Sequence, residues 1–93
     1  MAEKLTEAQI AERLAALSGW ALEGGMIVRT FVLKDFTAAL TFVGAVGYLA
    51  EAAGHHPDVS ISYNRVKLAL TTHDAGGLTE KDFALAAQIN ALP

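Results

Sequence analysis

Two alternating runs on either side of one short turn constrain this chain more than any other feature. Val59, Ile61 and Tyr63 alternate with polar residues, and Val66, Leu68 and Leu70 do the same after Asn64-Arg65. Side chains of a strand face opposite ways with a period of two, so each run reads as a half-buried strand. The short gap makes them the arms of an antiparallel hairpin. Taking Asn64-Arg65 as a two-residue loop sets Tyr63 against Val66, Ile61 against Leu68 and Val59 against Leu70, an all-apolar face. Carried to its open end, that register sets His56 across from His73, although Pro57 can bend the ladder there.

The rest of the chain fits around this hairpin. Thr6-Glu7-Ala8-Gln9 reads as a capping box with Leu5 and Ile10 as its hydrophobic staple, and Leu14 and Leu17 continue the helical spacing to about Leu17. Trp20 to Glu23 and Met26 to Leu33 read as a second pair of strands turning at Gly24-Gly25. Asp35 is placed to cap a long apolar helix that ends at Gly54. That segment is long enough to span a membrane. Its threonine and glutamate stripe and the lack of flanking basic residues favour a buried or interface helix instead. Thr79 caps a last helix with Asp82 at its third position and Leu78 and Phe83 as a staple. The order α-β-β-α-β-β-α predicts an α+β fold, a four-stranded antiparallel sheet with three helices packed on one face.

Ninety-three residues with 53% hydrophobic content suit one domain, spanning residues 1–93. A domain of this size is modestly stable alone, so self-association is expected. The net charge of −3 and the scattered lysines and arginines offer no basic patch, which argues against direct nucleic-acid binding. The chain has no cysteine, hence no disulfide framework and no thiolate chemistry. The first residues lack the apolar stretch of a signal peptide, so a cytoplasmic location is expected. Phosphate loops, dinucleotide-binding glycine motifs and nucleophile elbows are absent.

Chemistry points to the histidines. The chain has three, His55, His56 and His73, and imidazole is the one side chain whose ordinary pKa lies near neutrality. Consecutive histidines at a helix-to-strand junction face different ways, so one can line each wall of a cleft that His73 closes. Such a cleft suits general acid and base catalysis. Glu51 sits in the last helical turn, where a carboxylate meets the negative end of the helix dipole, and is a candidate for holding a histidine tautomer. Asp82 is explained by capping alone, with a role in the cleft as the sharper reading. Trp20 reads as a core or interface residue whose ring is also able to border a planar ligand. A three-imidazole zinc site is the competing reading, weakened because adjacent histidines face apart.

The runs Glu51-Ala-Ala-Gly-His55-His56-Pro57-Asp58, Tyr63-Asn64-Arg65-Val66, Thr72-His73 and Gly77-Leu78-Thr79-Glu80-Lys81-Asp82 closely resemble the signature of the pterin-4a-carbinolamine dehydratases. The resemblance extends from about Trp20 to Ile89. It departs at Gly54, where family members often carry a polar residue, a change that would remove a hydrogen bond behind the imidazoles but leave them in place. The resemblance implies dehydration of 4a-hydroxytetrahydropterin to quinonoid dihydropterin and water in tetrahydropterin recycling, with no cofactor and no metal. It implies His55 and His73 as acid and base, His56 as a pterin hydrogen-bonding group, and Glu51 and Asp82 as orienting residues. It also implies a homodimer or homotetramer. Some family members act through protein partners, as a transcriptional coactivator or in Rubisco assembly, so a non-catalytic interaction factor is the alternative function.

Overall fold

Local sequence signals set the ends of each helix. In the computed structural model, which describes residues 3–93, α1 spans Glu7–Ala15. Thr6 and Gln9 close a reciprocal capping box at its start, each side chain bonding the other's backbone N–H. Helix α2 spans Phe36–Ala53; the Asp35 carboxylate accepts from the Ala38 N–H at 2.8 Å, and Gly54 takes the left-handed conformation that ends it. Helix α3 spans Glu80–Asn90 behind the Thr79/Asp82 capping box.

The strands are β1 (Ala21–Glu23), β2 (Met26–Val32), β3 (Asp58–Ser62) and β4 (Arg65–Leu70), all antiparallel in the spatial order β1-β2-β4-β3. Gly24 and Gly25 both have positive φ and turn β1 into β2. The fold is therefore the expected α+β arrangement of three helices and a four-stranded antiparallel sheet.

One face of the sheet is dry. Ile27, Val66, Leu68 and Leu70 are fully buried, each worth about 1.5–3 kcal/mol of apolar burial, and they meet Val46 and Ala50 of α2 and Leu85, Ala86 and Ile89 of α3 in one core. Ile10, Leu14 and Leu17 pack α1 against the rim of that core. Across the sheet, Lys67 is exposed and reaches Glu23 at 3.2 Å.

Polar contacts fix how the outer helices dock. Asn90 at the end of α3 accepts from Trp20 Nε1 at 2.9 Å and from Arg29 Nη1 at 2.7 Å, and its amide donates to the Ser18 carbonyl. Trp20 is thereby a core residue, edge-on to Phe31, and the ligand-bordering reading of its ring does not hold. The Arg13 guanidinium grips both oxygens of Glu80, joining α1 to the start of α3. That hydrogen bond holds the Glu80 carboxyl below the usual carboxylate range.

The β3–β4 register differs from expectation by two residues. Ile61 pairs with Val66 and Val59 with Leu68, and the turn is Tyr63-Asn64 rather than Asn64-Arg65. The faces survive because a two-residue slip conserves a period of two, so alternation alone cannot distinguish the registers. Asn64 supplies the distinction. Its amide donates to the Leu33 carbonyl at 3.0 Å while its own carbonyl accepts from the Leu33 N–H at 2.7 Å, stapling the turn to the end of β2. Tyr63 takes the left-handed conformation instead, with φ 51°.

For a residue with a Cβ that conformation costs about 1–2 kcal/mol, and the Tyr63 ring is exposed. Tyr63→Gly is therefore expected to raise unfolding free energy by roughly 0.5–1 kcal/mol in urea titrations. A clear loss of stability would show that the Tyr63 side chain contributes more than its backbone conformation costs.

Candidate active site

The end of α2 sets the site's first wall. Gly54 lies at φ 63°, and the His55 N–H closes back on the Ala50 carbonyl at 3.0 Å, so the chain leaves the helix in a fixed direction. Nothing lies within 4 Å of the position a Gly54 side chain would take. Glycine at this departure from the resembled signature thus serves the positive φ.

The two histidines that follow point apart, each to its own carboxylate. His55 Nε2 lies 2.6 Å from Asp82 Oδ1, with side chains 11% and 0% exposed. His56 Nε2 lies 2.5 Å from Glu51 Oε1, with side chains 62% and 79% exposed. Glu51 does partner a histidine, and that histidine is His56. The buried pair acts in a medium of low effective dielectric, whereas water screens the exposed one.

His73 arrives by a route the sequence did not reveal. With β3 and β4 in their actual register, counting on from Asp58 opposite Ala69 brings Thr71, not His73, level with His56. The expected strand pairing of His56 with His73 is therefore wrong. Instead the chain leaves β4, makes the Thr72–Gly77 bridge and enters a single 3-10 turn over His73–Ala75. That turn sets His73 beside the pair from α2. Gly54, His55, His56, Thr71, Thr72, His73 and Asp74 line one open recess of about 360 Å³. Among the described residues no side chain is within hydrogen-bond distance of the His73 imidazole, which leaves both its nitrogens available.

Behind the recess lies a buried polar knot. Asp82 Oδ2 accepts from the Thr79 N–H and from the Thr72 hydroxyl, both at 2.9 Å, and the hydroxyls of Thr72 and Thr79 are 2.8 Å apart. Thr72, Thr79 and Asp82 are all buried, and among the described residues no buried side-chain polar atom lacks a partner. Asp82 thus does two jobs, capping α3 and holding His55. Thr72 entered the sequence reading only as part of the Thr72-His73 run of the resembled signature, with no role assigned to its hydroxyl. No three His, Asp or Glu side chains among the described residues are gathered as metal ligands.

This site can exchange protons with a ligand in the recess. One imidazole is backed by a buried carboxylate, a second by an exposed carboxylate, and a third is unencumbered. The arrangement matches acid and base catalysis without a covalent step.

Comparison with known proteins identifies the family. The family model for pterin 4 alpha carbinolamine dehydratase matches residues 3–92. A Chloroflexus aurantiacus protein provisionally named a pterin-4-alpha-carbinolamine dehydratase is 66% identical over 89 residues, covering 96% of each chain. The crystal structure of a transcriptional coactivator/pterin dehydratase from Brucella melitensis superposes with a TM-score of 0.91 at 41% identity, covering 96% of this chain and 97% of that one. A pterin dehydratase-like protein identified as a RuBisCO assembly factor in the alpha-carboxysome superposes less closely, with a TM-score of 0.67 at 25% identity, covering 78% and 87%.

Burial predicts unequal consequences for the two carboxylates. Asp82→Ala strands the Thr79 N–H and the Thr72 hydroxyl and removes half a capping box, so it is expected to lower unfolding free energy by about 2–4 kcal/mol. Glu51→Gln, at an exposed pair, is expected to change it by less than about 1 kcal/mol. Equal losses in denaturant titrations would contradict this division.

Proposed function

Because the chain belongs to the pterin-4a-carbinolamine dehydratase family, we propose that it converts 4a-hydroxytetrahydropterin to quinonoid dihydropterin and water. The observation that carries this reading is the recess where His55, backed by buried Asp82, meets His56 and an unencumbered His73.

The reaction breaks the bond from C4a to its hydroxyl and removes the proton from N5, leaving a double bond between C4a and N5. An acid must protonate the departing oxygen and a base must accept the N5 proton. His55 is the base, since the Asp82 carboxylate stabilises the imidazolium formed when His55 takes a proton. His73 is the acid, because among the described residues no side chain holds its imidazole and it lines the recess. His56, fixed by Glu51 at the exposed edge, hydrogen-bonds the pterin ring. The two proton transfers cancel, so each turnover needs only a return of the proton from His55 to His73 through solvent. These steps need no cofactor or metal, and tetrahydropterin recycling in the cytoplasm is the setting the reading implies.

The surfaces on which an interaction factor would draw are the exposed apolar ones. Helix α2 is 18 residues long with a mean hydropathy of 1.4, enough by length and composition to cross a membrane, yet only 17% of it is buried. Phe36, Leu40 and Tyr48 stand exposed on it, and Val59 and Ile61 stand exposed on the edge strand β3. We assign these surfaces to copies of this same chain, as a homodimer or homotetramer, which removes both the apolar stripe and the open strand edge from water. None of the residues lining the recess belongs to α2's exposed stripe or to β3, so assembly through those surfaces leaves the lining residues free for catalysis.

Stopped-flow decay of a 4a-carbinolamine generated in place tests the reaction. His55→Ala and His73→Ala are each expected to slow dehydration by about 10² or more, and a chelator is expected to leave the wild-type rate unchanged. Near-wild-type turnover in both variants would remove the assignment. Size-exclusion chromatography with light scattering is expected to give a dimer or larger, and a monomer at micromolar concentration would refute self-association.

A further inference from the structure

The polar knot behind the recess has a direction. A carboxylate only accepts, so the Thr72 hydroxyl must spend its one proton on Asp82 Oδ2. Thr72 then has none to give Thr79, and the 2.8 Å contact between the two hydroxyls must run from the Thr79 O–H to Thr72 Oγ1. Thr79 Oγ1 in turn accepts from the Lys81 N–H at 3.2 Å. Every proton in the chain is therefore committed in one sense, from the α3 backbone through Thr79 and Thr72 to Asp82.

The committed direction reaches the imidazole. Asp82 Oδ2 takes two donors, from Thr72 and from the Thr79 N–H, and Oδ1 faces His55 Nε2 at 2.6 Å. Oδ2 is filled by its two donors, so the proton in the remaining contact lies between Oδ1 and Nε2, and with Asp82 as the carboxylate the facing nitrogen carries it. Nδ1 is then the nitrogen without a proton in neutral His55. The Thr72 backbone is itself pinned, bonding Gly77 in both directions at 3.3 Å, and the next residue is His73. One residue thus sends its hydroxyl inward to the carboxylate behind His55 and starts the turn that carries His73 into the recess.

We propose that Thr72 is a positioning residue of the site: its hydroxyl, oriented by Thr79, holds Asp82 as a pure acceptor, so that His55 keeps its proton on Nε2 and offers Nδ1 to the substrate. Capping of α3 accounts for Thr79 and for the Asp82 contact to its N–H, but the Thr72 hydroxyl caps nothing. Loss of that hydroxyl leaves Asp82 one donor short inside the protein, and the carboxylate then draws harder on His55. The other titratable groups lining the recess are His56, His73 and Asp74. The part of this inference that concerns catalysis rests on the dehydratase reading, whereas the tautomer does not.

Two measurements separate them. Long-range proton–nitrogen NMR spectra of the histidine-labelled, substrate-free protein are expected to show neutral His55 protonated on Nε2, with Nδ1 bare. In Thr72→Val, which keeps the shape and removes the hydroxyl, kcat is expected to fall roughly tenfold with little change in KM, and the acid limb of the pH profile is expected to move upward. Thr72→Ser, which restores the hydroxyl, is expected to return both. A wild-type His55 protonated on Nδ1 would overturn the proposal, even if Thr72→Val failed to fold. Identical kcat and pH profiles for Thr72→Val and Thr72→Ser would overturn it as well. A wild-type protein inert towards the carbinolamine would overturn the dehydratase reading alone, leaving the NMR result to decide the tautomer.

Discussion

A carboxylate with no exposed surface must be surrounded by donors, and Asp82 is where this chain meets that requirement. Its donors come from three parts of the fold: the backbone at the start of α3, the hydroxyl that follows β4, and, 27 positions away, the imidazole that follows α2. Satisfying one buried charge therefore fixes how α3, the 3-10 turn and the end of α2 stand relative to one another. The recess is the outer side of that junction. Removing any one donor would leave the others facing an under-solvated charge, so structure and chemistry are tied to the same atoms.

The contrast between the paired histidines follows from the same point. His55 and His56 are neighbours, have the same side chain and each meet a carboxylate, yet one pair is sealed and the other is open to water. Burial strengthens the first interaction and solvent screens the second, and on the proposed dehydratase reading that difference gives proton transfer to His55 and ligand contact to His56. His73, with no side-chain partner among the described residues, is the proposed donor of a proton.

Much of the fold was legible from local rules. Both capping boxes, the glycine turn between β1 and β2, the Gly54 helix end and the order of elements each follow from short-range chemistry that the folded chain keeps. Register was not legible, because alternation repeats every two residues and the deciding contact, Asn64 with Leu33, spans 31 positions. The gathering of the histidines was expected, but through a strand pairing that does not exist. A single turn after Thr72 achieves it instead, and such a turn has no periodic signature. Asp82 shows the limit of a sufficient explanation: capping was enough to account for it in the sequence, an orienting role came only from the resemblance, and the fold shows which histidine its second oxygen meets.

The central claim is that the Asp82–His55 couple moves the proton in carbinolamine dehydration. Asp82→Asn tests it most directly, since the amide keeps the shape and offers one acceptor oxygen where the carboxylate offers two. The measurement is the stopped-flow rate at which the folded variant dehydrates a 4a-hydroxytetrahydropterin at saturation. The account predicts a fall of about 10² or more with KM little changed, because an amide cannot stabilise the imidazolium. A folded Asp82→Asn protein turning over at the wild-type rate would contradict it.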